Sequence, residues 1–84
     1  MVIEVGQCIP PHYHSECTDI ILPLSGEARL LLASGVEQRL EATHLYKVPA
    51  KEIHSIVNDS PANPFVYLLI QDGTYDFKPE ASLV

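Results

Sequence analysis

Positive charge is what this chain has least of. Five lysines and arginines stand against eleven aspartates and glutamates, a formal net charge of −6. Nucleic acids and anionic bilayers are held by cationic surfaces, so neither is an expected partner, and a small molecule is. No apolar run approaches the ~20 residues of a membrane span. The segment Met1–Gly6 carries Glu4 and has neither a basic start nor a long apolar stretch, so it does not read as a signal peptide. Without a sign of export, Cys8 and Cys17 are expected to be reduced thiols in a cytoplasmic protein. No segment holds a helical period over three turns. No repeat, low-complexity tract or linker divides the 84 residues, which predicts one domain over 1–84.

What is present is a series of short strand-like runs. Val2–Val5, Asp19–Leu24, Glu27–Ala33, Val36–Glu41, His44–Val48, Ile53–Val57 and Phe65–Ile70 alternate or cluster apolar residues between turn signals such as Ser25-Gly26, Ser34-Gly35 and Pro49–Glu52. Val36, Gln38 and Leu40 alternate with Glu37, Arg39 and Glu41, as in a half-exposed hairpin arm. Ile9-Pro10-Pro11 is a stiff, extended approach to the residues that follow. Short strands at this spacing predict an all-β sandwich or barrel. A domain this small buries only ~60–65% of the surface of its unfolded chain, so a bound metal or a second subunit is expected to add stability.

The chemistry-bearing residues fall into two spaced blocks. The first is Gly6-x5-His12-x-His14-x4-Asp19-x6-Gly26 and the second Thr43-x5-Pro49-x-Lys51-x2-His54-x3-Asn58. Residues two apart on a strand project to the same side, so His12 and His14 can offer two imidazoles to one point. His54 reaches that point only if the sheet closes on itself. Cys8 and Cys17 flank the pair and allow a compact zinc set of Cys8, His12, His14 and Cys17, but four ligands within ten residues of extended chain do not form the two separated pairs that structural zinc prefers. Both cysteines read better as small buried hydrophobes. His44, between Glu41 and Lys47, reads as a surface histidine, and Asn58 as a side chain that ties its own turn.

Together the blocks resemble the two signature motifs of the cupin superfamily, with agreement in every interval from Gly6 to Asn58. The resemblance implies a single-domain cupin-like β-barrel of the jelly-roll, double-stranded β-helix type. It also implies one divalent transition metal (Fe, Mn, Ni, Cu or Zn) on His12, His14, His54 and Asp19. Three residues depart from the family pattern: Asp19 stands in place of glutamate, and Thr43 and Lys51 in place of glycines. The shorter Asp19 can ligate directly, through water, or only hydrogen-bond a ligand histidine. Glu16 shares the parity of the histidines and competes with it, although the family spacing favours Asp19. Lys51 fits poorly wherever positive φ is required.

Two functional classes follow. One is a metal-dependent enzyme of dioxygenase, isomerase or lyase type acting on a small, rather apolar molecule. The other is a ligand-binding or sensing barrel without turnover. Ile21, Ile56 and one parity of the Phe65–Ile70 strand are expected to line the interior, with Tyr13 and Tyr46 as the nearest aromatic hydroxyls and Arg29 and Arg39 outside. Asp19–Leu24 is apolar on both faces, which points to a homodimer covering its outer side. If the histidines hold a metal, acid should destabilise the metal-bound protein and leave the metal-free protein unaffected.

Overall fold

The computed structural model describes residues 1–80 and contains nine strands and no helix among them. They are β1 (Val2–Ile3), β2 (Cys8–Tyr13), β3 (Glu16–Ser25), β4 (Ala28–Leu32), β5 (Glu37–Leu40), β6 (Tyr46–Val48), β7 (His54–Asn58), β8 (Phe65–Thr74) and β9 (Lys78–Pro79). One sheet runs β1-β8-β3-β6 and the other β5-β4-β7-β2-β9, with antiparallel pairing throughout. With no helix among the described residues, none is long and apolar enough to cross a membrane.

The core lies between the sheets because each strand points alternate residues inward. On β3, Cys17, Asp19, Ile21 and Pro23 are buried, while Ile20 and Leu22 on the other parity are only half-buried. On β8 the inward parity is Phe65 and Tyr67, both buried, with Leu69 packed against the core, which settles the alternative left open by the sequence. Ile21 and Phe65 are fully buried, and each such side chain contributes roughly 1.5–3 kcal/mol relative to exposure. Pro23, which lacks a donor, faces Tyr67 on β8, but β6 pairs only with Asp19–Ile21, so the proline costs the sheet no hydrogen bond on that side.

The outer face of the first sheet is apolar across three strands. Ile20 faces Ile70, Leu22 faces Leu68, and Val2 faces Val66. Leu68 and Ile70 are 51% and 57% exposed.

Three local expectations need correction. The first strand ends at Ile3, because the chain turns through Gly6 at φ 77° before β2. The hairpin arm is shorter than its alternation suggests, since Val36 is exposed outside β5 and only Leu40 is buried. Cys8 is exposed; only Cys17 is a buried thiol. Burial pushes that thiol's pKa up, and Asp19 nearby adds to the shift.

Thr43 and Lys51, the two departures from glycine, both adopt positive φ, 71° and 72°. A β-branched residue there is strained. The Lys51 conformation is held by its N–H, which donates to the His14 carbonyl at 2.6 Å and ties the turn before β7 to the end of β2. Gly26 keeps its glycine for a steric reason: a Cβ would lie 2.4 Å from the Pro64 carbonyl oxygen.

Candidate metal centre

The pairing register assembles the site. His12 on β2 lies directly opposite His54 on β7, so their rings approach to 4.2 Å between centroids. His14 is one residue past the end of β2, where the chain leaves one sheet for the other, and its ring is 4.9 Å from that of His12. From the facing sheet, Asp19 on β3 points at all three. All four side chains are buried, and their potential ligand atoms lie within 4.8 Å of one another. Neither cysteine belongs to the group. Glu16 is exposed on β3, and His44 is exposed with its Nδ1 3.3 Å from the Ala42 carbonyl.

The hydrogen bonds fix the imidazole tautomers. Nδ1 of His12 lies 2.8 Å from the Pro10 carbonyl, Nδ1 of His54 2.9 Å from the Glu52 carbonyl, and Nδ1 of His14 against the Asp76 carbonyl. A carbonyl only accepts, so each Nδ1 carries the proton and each neutral ring turns the lone pair of Nε2 inward. Asp19 Oδ2 lies 3.1 Å from Nε2 of His14 and 3.3 Å from Nε2 of His54. With neutral rings these are acceptors facing acceptors in a buried site, an arrangement that a proton, a donating water or a metal ion would satisfy. Three inward nitrogen lone pairs and a carboxylate, each Nδ1 braced by a carbonyl, form a donor set suited to a divalent transition ion.

Burial alone would raise the Asp19 carboxyl pKa; the contact with His54, the hydrogen bond from Gln71 and the charge that His14 and His54 carry whenever they are protonated outweigh it and hold it below its ordinary value. Gln71, directly opposite Asp19 on β8, donates from Nε2 to Asp19 Oδ1 at 3.2 Å and so orients the carboxylate. Burial lowers the His12 pKa, and neighbouring His54 and His14 add to the effect, against the Pro10 carbonyl, which raises it.

Above the four residues opens a cavity of about 140 Å³. Ile9, Ile56 and Leu69 form apolar walls, and Tyr67, Tyr75 and Phe77 supply the aromatic surface. Tyr13 and Tyr46 do not line it; the Tyr46 hydroxyl instead accepts the Glu41 N–H at 2.9 Å. Arg29 is outside, paired with Asp59 at 2.8 Å and Glu37 at 2.8 Å, and among the described residues no lysine or arginine lines the cavity. Asn58 fulfils its structural reading, donating to the Ile3 and Asn63 carbonyls and accepting the Ser60 N–H.

Sequence reasoning missed Gln71 and everything contributed by residues 75–77. Gln71 could have been found as the polar residue on the inward parity of a strand otherwise apolar there. Tyr75-Asp76-Phe77 has no period to announce it. Phe77 stacks on His12 with centroids 4.5 Å apart and planes 16° apart, and the Tyr75 ring lies 5.5 Å from that of His14.

Residues 1–71 match the family described as a cupin domain, and the chain belongs to that family. A solved structure from Klebsiella pneumoniae subsp. pneumoniae, described as an uncharacterized conserved protein with a double-stranded beta-helix domain, superposes with a TM-score of 0.84 at 24% sequence identity. The match covers 96% of this chain and 70% of that one and establishes the shared fold. No curated protein matches the sequence.

The lowered His12 pKa predicts an acid response even without metal. The unfolded chain, with histidine near its ordinary 6.5, takes up this proton before the folded chain does. The His12 contribution to stability is therefore complete above that value and is lost as pH falls through it towards the lower folded pKa. This is the opposite of the acid-indifferent metal-free protein expected from the sequence, and the two differ in a measurable way. Asp19, also lowered, gives up its contribution only below its ordinary 3.8. Melting curves at pH 8 and pH 5 in chelator should show a lower midpoint in acid, and a larger drop with metal present. An unchanged midpoint in chelator would show that His12 burial does not govern the response.

Proposed function

We propose that the protein binds one divalent transition metal through His12, His14, His54 and Asp19 and takes a small, rather apolar, oxygen-bearing molecule into the cavity above it. The observation that carries this reading is the convergence of three Nε2 lone pairs on one buried carboxylate. A bound ion of this kind supplies Lewis-acid polarisation or dioxygen activation. The chain's own residues supply the rest. Gln71 holds the carboxylate, Ile9, Ile56 and Leu69 give the cavity its apolar walls beside the four donors, and Phe77 stacks on His12. The lack of lysine or arginine among the described lining residues favours an uncharged ligand over a phosphorylated or acidic one.

Turnover of the dioxygenase, isomerase or lyase type is the first reading, and a binding or sensing barrel the second. The experiment is elemental analysis of tag-free protein, followed by dioxygen uptake by the metal-loaded form with catechols, β-diketones and thiols. About one equivalent of metal is expected, with uptake for one substrate class. Metal without uptake would exclude the dioxygenase form of the first reading, and no metal from any divalent salt would overturn the reading.

The apolar outer face of β1, β8 and β3 supports a homodimer in which two such faces meet, since contiguous exposed apolar surface on a small domain marks an association site. The exposed free thiol of Cys8 suits a reducing, cytoplasmic setting.

A further inference from the structure

The two strand-borne histidines are oriented by their own strands. His12 and His54 each give the Nδ1 proton to the carbonyl two residues before them, on Pro10 and Glu52. His14 has no such local acceptor. Its Nδ1 proton goes to the carbonyl of Asp76, 62 positions away. The carboxylate of the same residue holds the backbone beside His14: Oδ1 accepts the Ser15 N–H at 2.7 Å, and Oδ2 accepts the Ser15 hydroxyl. Those bonds with Ser15 keep the Asp76 pKa below its ordinary value. Past Asp76, β9 pairs with the open edge of β2, with Pro79 opposite His12 and Lys78 opposite Tyr13, and the Glu80 N–H donates to the Pro11 carbonyl at 3.0 Å.

We infer that Asp76 is a positioning residue of the metal centre: the segment Tyr75–Glu80 clasps the edge of β2, and Asp76, grasping both Ser15 and His14, sets the tautomer and direction of the third imidazole. Phe77, stacked on His12, is the clasp's second point of contact. The inference rests on the metal-binding reading above. It goes beyond it in assigning a functional role to a segment after residue 71, where the family match ends. A partner that holds a ligand histidine by its second nitrogen sets the ligand's basicity and aim, and losing such a partner typically weakens metal affinity about 10–100-fold.

The test is titration of the full chain with cobalt(II), read by calorimetry and by the visible ligand-field spectrum, alongside melting of the chelated protein. Asp76→Ala, which frees Ser15 and lets the Asp76 carbonyl drift from His14, should weaken cobalt binding about 10–100-fold and alter the spectrum. Asp76→Asn keeps an acceptor for the Ser15 N–H and should restore most of the affinity, because the role is geometric. Ser15→Ala, which removes one of the two side-chain anchors, should fall between them, and it decides the matter should Asp76→Ala not fold. A purely structural clasp would lower the melting temperature of the chelated variants and leave affinity and spectrum at wild-type values; that result overturns the inference while the metal site stands. Failure of the wild-type chain itself to bind cobalt would overturn both.

Discussion

Replacing His54 by alanine should empty the centre. The imidazole is 1% exposed and faces His12 across the β2–β7 pair, so nothing in the interior can take its place. Four-ligand metal sites hold their ion with about 10–16 kcal/mol, or about 3 kcal/mol per ligand, so losing one should weaken binding about 100-fold or more. Metal content after desalting should drop from about one equivalent to a trace, and the metal-dependent rise in melting temperature should vanish with it. The alanine also leaves a cavity beside the Glu52 carbonyl, so circular dichroism of the variant should accompany the metal assay. If the triple variant of His12, His14 and His54 retained a full equivalent of metal, the ion would be bound elsewhere.

A single charge on the outer face should dissociate the proposed dimer. Leu68 points away from the core, faces Leu22 across β8 and β3, and is half exposed in one chain. Leu68→Glu should therefore leave the fold of each chain nearly unchanged. In an interface it would bury an unpaired carboxylate, which costs several kcal/mol and weakens association by about 100-fold or more. Sedimentation at micromolar concentration should show twice 9.3 kDa for the wild type and 9.3 kDa for the variant. A wild-type chain sedimenting only at the single-chain mass would refute the dimer.

The site was legible where the chain's period and the family spacing coincide. His12 and His14 lie two apart, so their shared direction could be read from the period alone, whereas Asp19 was preferred to Glu16 only through the resemblance to the family spacing. Asp19 departs from glutamate in length only, and the structure brings its Oδ2 within reach of two imidazoles. The strands were legible because alternation is a local signal, and their ends were not, because pairing decides them. β3 begins at Glu16 since β8 runs on to Thr74 and offers it a partner. That extension needs Gly73, where a Cβ would stand 2.3 Å from the Glu16 carbonyl oxygen, a contact no local pattern reveals. Thr43 and Lys51 predicted trouble at two turns, and both turns did keep the positive φ that glycine would have supplied. The clasp was illegible for a different reason: a two-residue strand and a backbone carbonyl carry no signature, and no local pattern ties the Asp76 carboxylate to Ser15, 61 positions away.

The contrast between locally and remotely oriented histidines has a kinetic side. Hydrogen bonds that span two residues close almost no loop, whereas the bond from His14 to Asp76 closes one of 62 positions and depends on a short, exposed strand staying docked. Short peripheral strands open at a small fraction of the free energy of global unfolding. Fraying of β9 would thus release the aim of one imidazole while the other two stay in place, and an ion held there could exchange through a locally opened state at a rate insensitive to the stability of the core. Amide hydrogen exchange at Glu80 and Ser15 would report that opening directly.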